Sequence, residues 1–196
     1  MVNTPTLETK RLILRQFTEA DIDALFRIYS DVETNRFLPR FPMKTLEEAA
    51  SYLYNSYLPD YAAPAGYRYA ICLKEDNIPI GYVNLGVDES HDLGYGLLSK
   101  YWHQGIVREA CEAIVCRAKL DGIPYITATH DVLNSRSGNV MRAIGMSYKY
   151  SYNELWQPKN YPVTFRMYQL NLDGCDERLY KVYWDRFPDH FIETGI

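Results

Sequence analysis

Hydrophobic positions recur along this chain with two periods, and the changes from one to the other mark out most of its secondary structure. Leu12 to Arg15 reads as a short first strand. Thr18 then offers a cap for a helix whose apolar residues Ile22, Leu25, Phe26 and Tyr29 fall three and four apart. Thr45 with Glu48 forms a capping-box pattern ahead of Ala49, Leu53 and Tyr57, so two helices are expected before the sheet. Three strands are predicted next, Tyr67 to Lys74, Ile78 to Val87 and Leu93 to Leu98, joined by polar turns at Glu75-Asp76-Asn77 and from Asp88 to Asp92. That order describes an antiparallel meander.

The spacing predicts a longer helix from about Arg108 to Asp121, with Ala110, Ile114, Val115 and Ala118 on one face and Gly122 as its stop. It feeds a strand at Tyr125 to His130. A strand, crossover helix and strand in that order imply a parallel pair, with ligand expected at the carboxyl end of the strands. Ser147 to Glu154 and Val163 to Leu172 then read as a hairpin around the loop Leu155 to Pro162. Alternation puts Tyr148, Tyr150 and Tyr152 on one face, for core or interface packing or for an aromatic acceptor pocket. The fold class is α+β with a mixed sheet, and no repeat or low-complexity tract interrupts it.

At 196 residues, 47% hydrophobic and 23% charged, the chain is long enough for one domain with a substantial core. Its formal charge of −4 argues against a nucleic-acid partner, because no cluster of Lys and Arg is present to track phosphates, and weakly favours a cationic acceptor. The first residues form no signal peptide and no stretch reaches membrane-spanning length, so a cytoplasmic protein is expected. Cys72, Cys111, Cys116 and Cys175 have no metal or redox spacing, and a helical setting for Cys111 and Cys116 argues against an exposed nucleophile. With His91, His103, His130 and His190 scattered, no metal site is expected.

The chemistry concentrates in Tyr101 to Ala110, YWHQGIVREA, where a glycine-bearing turn runs into the long helix. Gly105 permits close backbone approach, and the amides of Ile106, Val107 and Arg108 are the unpaired donors of a first helical turn, which suits an anion such as a phosphate. An ordinary strand-to-helix turn is the plainer reading of this stretch alone. His103 and Arg108 add positive charge beside it or simply face solvent.

Order adds specificity. LETKRLILRQFTEADIDALF from Leu7, the YWHQGIVREA segment with its lead-in Leu93-Gly94-Tyr95, and NSRSGNVMRAIGM from Asn134 together make the chain resemble the GNAT acyl-CoA N-acyltransferases, in particular their RimJ/RimL branch. The likeness spans residues 7 to 172, giving a GNAT domain over 1–173 and a tail over 174–196 whose aromatics suit docking on the domain or on another subunit, a homodimer included. It implies a mostly antiparallel sheet flanked by helices, with a splayed parallel strand pair at the acyl-CoA site. It implies acetyl-CoA as cosubstrate, no metal, and direct transfer to a primary amine without an acyl-enzyme. In the pattern Gln/Arg-x-x-Gly-x-Gly/Ala, Trp102 takes the first place, Gly105 the fourth and Val107 the sixth, and the diphosphate is expected over Gln104 to Arg108. A tyrosine usual four residues before the last motif glycine is here Met141.

By the same resemblance, Asp92 is the candidate base, with Asp88 and Glu89 as competitors and turn solvation as the plain alternative. A backbone amide of Leu97 or Leu98 is the expected oxyanion donor. Ser137 is the candidate proton donor to the leaving thiolate, or only a helix cap, and Asn134 holds the pantetheine arm or its own loop. The expected function is acetylation of an amine, a peptide or protein N-terminus ahead of a polyamine, amino sugar or antibiotic amine, with a non-catalytic acyl-CoA-binding module as the alternative from another class. The acceptor loops, Phe37 to Met43, Pro59 to Gly66 and Leu155 to Pro162, carry no readable code.

Overall fold

The computed structural model describes residues 2–196. Five strands in chain order, β1 (Leu7–Glu8), β2 (Leu12–Arg15), β3 (Tyr67–Leu73), β4 (Pro79–Leu85) and β5 (Leu93–Leu97), form an antiparallel sheet. Alternation along β3 decides what each face buries. Tyr67, Tyr69 and Ile71 enter one apolar core, whereas Ala70 and Cys72 enter a second on the opposite face.

The second core lies under the helices between β2 and β3. Thr18 starts them through a reciprocal cap with Asp21, itself paired with Arg15 at 2.7 Å, and α1 (Ile22–Ser30) buries Leu25, Ile28 and Tyr29. Two helices were expected here, but the chain adds the short α2 (Val32–Asn35), whose Thr34 amide is capped by Asp31, and splits the next helix. That helix runs as α3 (Leu46–Tyr52), a π-helical segment Leu53–Tyr57 and α4 (Leu58–Ala62). Thr45 accepts from the Glu48 amide, while Glu48 reaches back to the Lys44 amide and not to Thr45, so the capping box is only half formed.

After β5, α5 (Ile106–Leu120) covers the first core with Ile106, Ala110, Cys111, Ile114 and Ala118, starting two residues earlier than the spacing suggests. It leads to β6 (Tyr125–Asp131), α6 (Ser135–Ala143), β7 (Ser147–Trp156) and β8 (Tyr161–Asn171). The last hairpin is longer and its loop shorter than expected. Residues 174–196 carry α7 (Val182–Arg186) and β9 (His190–Phe191), which pairs with β7 and completes a second sheet in the order β6-β8-β7-β9. Tyr180, Tyr183, Trp184 and Phe187 pack with Tyr150 and Tyr152 in a third apolar cluster.

A bulge between Tyr148 and Tyr150 corrects the one-face reading of the three tyrosines. One extra residue reverses the side that follows, so Tyr148 packs toward the first core beside Tyr168, while Tyr150 and Tyr152 face the tail. Cys116 is also corrected: it lies on the outer face of α5 and is exposed. No helix among the described residues is long and apolar enough to cross a membrane.

Candidate active site

The two sheets meet at one point. Asp92 and Thr127 form a single parallel bridge, with the Thr127 amide donating to His91 O at 3.1 Å, and beyond it β5 and β6 diverge. The expected parallel pair is therefore a splay, and its opening is lined by Tyr95, Gly96 and Leu97. Antiparallel alternation sends the amides of Gly94, Gly96 and Leu98 to β4, as the 3.0 Å bond from Leu98 to Ile80 O shows, and turns those of Tyr95 and Leu97 to the open edge. The Leu97 carbonyl, on that same edge, is held by Thr34 Oγ1 at 3.0 Å and Trp102 Nε1 at 2.8 Å. Leu98 is thus not part of the opening: its amide is already bonded and its side chain packs in the second core.

A cleft of about 320 Å³ runs from this edge to the start of α5 and gathers Leu97, His103, Gln104, Gly105, Ile106, Val107, Arg108, Asn134 and Ser137. Its turn is backbone-shaped. His103 at φ +61° and Gly105 at φ +72° both take left-handed conformations, which for the histidine is a local strain of about 1–3 kcal/mol. The turn is tied down from outside, since Arg11 donates to Gln104 O at 2.9 Å and pairs with Glu109, which also takes the Thr9 hydroxyl. The first amide of the helix ladder with a partner is Glu109, bonded to Gly105 O at 3.0 Å. The three before it, Ile106 to Arg108, open toward the cleft with the helix dipole behind them. Arg108 pairs with Glu112 on the exposed surface, whereas Arg136, to which the sequence analysis gave no role, stacks its guanidinium 4.2 Å from the Trp102 ring in the cleft wall.

Asn134 caps α6, and Ser137 sits in its first turn. The Tyr95 hydroxyl donates to Ser137 O at 2.9 Å and lies 2.9 Å from Ser137 Oγ, and burial pushes its phenol well above the usual range. Sequence reasoning passed over Tyr95. The available signal was a lone large side chain between Gly94 and Gly96. Met141 lies wholly within the first core and does not reach the cleft.

Asp92 stands on the other side of β5. It lines a second cavity of about 490 Å³, which reaches the loops at Leu38 to Arg40 and Asp60 to Gly66 and shares Tyr95 with the cleft. Asp92 Oδ1 is buried without a hydrogen-bond partner, and burial, with Asp88 adding repulsion, pushes the carboxyl up to about 7. Tyr180 and Tyr183 of the tail and Tyr152 of β7 lie near enough to sense its charge. Asp88 is engaged by Ser90, and Glu89 is exposed at the turn, its backbone oxygen taken by Tyr125. Of the three acids only Asp92 combines burial, a free oxygen and a cavity. Among the described residues no group of three or more His, Cys, Asp or Glu is arranged to hold a metal ion.

Residues 11–147 match the family model of the acetyltransferase (GNAT) domain. The uncharacterized N-acetyltransferase YoaA of Bacillus subtilis strain 168 is 30% identical over 115 residues, which cover 57% of this chain and 64% of YoaA, so the match spans just under two thirds of that relative. A GNAT-family acetyltransferase from Bacillus anthracis superposes with a TM-score of 0.75 at 21% identity, covering 87% of this chain and all of that one. RimL, a ribosomal alpha-N-protein acetyltransferase in complex with coenzyme A, gives 0.71 at 19% identity over 87% of this chain and 99% of RimL. At these identities the structures speak for the fold. The domain match itself runs from β2 through the Gly105 turn and α6, and on that ground the chain belongs to the GNAT acetyltransferase family.

Proposed function

We propose that this chain is an acetyl-CoA-dependent N-acetyltransferase that passes the acetyl group directly to a primary amine, within the RimJ/RimL-like branch and in the cytoplasm. The observation that carries the reading is the pair of cavities meeting at Tyr95, open helix amides on one side of β5 and the free Asp92 carboxylate on the other. The cleft fits the donor. Amides of Ile106 to Arg108 suit the diphosphate, Gly105 lets it approach, Arg136 adds charge, and Asn134 lies where the pantetheine arm would pass. Val107, half-buried in the wall, narrows the space without removing its own amide.

In the transfer, Asp92 takes a proton from the acceptor ammonium, directly or through water. The nitrogen then forms its bond to the acetyl carbon while the bond from carbon to sulfur breaks. The Leu97 amide, free on the splayed edge, is directed at the developing oxyanion. The departing thiolate receives a proton from Ser137 Oγ, which draws on the Tyr95 hydroxyl beside it, and the second proton that the nitrogen sheds as the amide forms passes to solvent, from which that pair is reprotonated. An α-amine, with a free pKa near 8 against about 10.4 for lysine, is the easier acceptor for one carboxylate base, which favours a peptide or protein N-terminus or another α-amine.

The test is a panel of N-terminal peptides, lysine peptides, free amino acids, polyamines and aminoglycosides, followed by coenzyme A release and product mass. Tight acetyl-CoA binding with no acceptor modified would move the assignment to a binding module. EDTA is expected to leave turnover unchanged, and loss of activity restored by one metal would refute the metal-free scheme. Tyr95→Phe is expected to lower kcat by about 10-fold and Ser137→Ala by no more than that, because a thiolate of free pKa near 8.5 leaves tolerably unaided. Steady-state kinetics with the KM for acetyl-CoA unchanged would agree. Complete inactivation by Ser137→Ala with acetyl-CoA binding retained would show that proton delivery limits the reaction.

A further inference from the structure

The second cavity contains a cation that the transfer scheme does not use. Arg40, on the loop after α2, lines it with its guanidinium 4.7 Å from the Tyr29 ring centroid and 5.2 Å from that of Tyr52. Arg68, the other arginine there, pairs with Asp60 and lies over Tyr57. Arg40 has no such partner: among the described residues it forms no ion pair with any carboxylate. The groups that act on it are tyrosine phenols, and Tyr52 is held below its ordinary pKa because, against the effect of burial, the charge and hydrogen bond of Arg40 act together with Arg68 and Tyr29. Stacking on aromatic faces fixes the plane of a guanidinium, and its five N–H donors exceed what the hydrogen bond to Tyr52 uses, which leaves capacity for a bidentate acceptor.

The opposite wall has the complementary shortage. Asp92 Oδ1 and Asn84 Oδ1 both line the cavity as buried acceptors without a donor. Between them lies Gly94, paired in register with Asn84, where an added Cβ would meet nothing within 4 Å. The floor is therefore open, with unmet acceptors at Asp92 and Asn84 and, at Arg40, a guanidinium that meets Tyr52 and aromatic faces but no carboxylate. A half-buried cation facing a cavity is costly to leave unpaired, and so is a buried carbonyl. One ligand with both an amine and an acid satisfies the whole set.

Building on the N-acetyltransferase reading, we propose that Arg40 receives a carboxylate of the acceptor, so that the amine acetylated here belongs to a molecule that is itself an acid. The acceptor enters with its amine toward Asp92 and the splayed edge and its carboxylate on Arg40. Free amino acids and peptides with an acidic residue near the N-terminus share this chemistry, and the assay separates them.

Initial rates with acetyl-CoA are compared for matched pairs: α-amino acids and ω-amino acids against their amides, and peptides bearing Asp or Glu near the N-terminus against Asn or Gln counterparts. The acid member is expected to exceed its neutral partner in kcat/KM by at least about 10-fold, the scale of one charged hydrogen-bonded contact. Arg40→Met, which keeps an unbranched stem between the tyrosines, is expected to bring that ratio close to one, and Arg40→Lys to leave an intermediate ratio. Should Arg40→Met not fold, the ratio in the parent and in Arg40→Lys still decides. Neutral amines acetylated as fast as acids, or a preference that survives Arg40→Met, would overturn the proposal and leave the N-acetyltransferase reading standing. No product from any amine despite acetyl-CoA binding would overturn both.

Discussion

Gly105→Pro is expected to weaken acetyl-CoA binding by at least about 100-fold, because proline fixes φ near −65° where the turn requires +72°. The change would move the peptide that carries the Ile106 amide and unhook the turn that Arg11 holds through Gln104 O. Gly105→Ala separates the causes. Its Cβ would meet nothing nearer than Arg11 Nη2 at 3.6 Å, so its penalty is left-handed strain and crowding against the diphosphate, and a smaller loss is expected. Titration calorimetry on variants that retain the parent's melting transition measures both. A folded Gly105→Pro chain with parent affinity would remove the phosphate site from this turn.

The features legible in the sequence were those fixed within one turn or one strand. The Leu12 strand, the Thr18 start, the meander and the Gly105 turn each depend on neighbours in the chain, and each stands where its residues suggested, whereas the cap of α6 considered for Ser137 is supplied by Asn134. What escaped depends on distant partners. The bulge at Tyr148 is one residue of slip that alternation cannot encode, and it moved a tyrosine to another core. Leu98 left the site because its amide finds Ile80, a pairing set by the register of β4 and β5. Tyr95 acquires its partner from α6, and Arg40 its setting from tyrosines on α1 and α3. Lys159, at the tip of the last hairpin, reaches back to Asn35 O and Arg36 O at the end of α2, a contact that no local pattern contains.

Asp92→Asn is expected to lower kcat by about 100-fold, the scale of one general base, while leaving acetyl-CoA affinity as in the parent because Asp92 lines the other cavity. With its carboxyl near 7, the active, ionised form accumulates as pH rises, so kcat/KM should climb through a limb centred near pH 7 that Asp92→Asn abolishes. Stability moves the opposite way. The folded chain holds this proton more tightly than the unfolded one, whose aspartate titrates near 3.9, so Asp92 makes the fold less stable as pH rises from about 4 to about 7 and adds no further slope above that. The substitution should flatten that component of the stability profile. The two readouts distinguish a base from a buried turn residue: a turn residue alone would change the stability slope and leave the rate limb in place. If the rate limb and kcat of Asp92→Asn match the parent while the stability slope is lost, the proton goes elsewhere, and Glu89 at the same turn becomes the next residue to test.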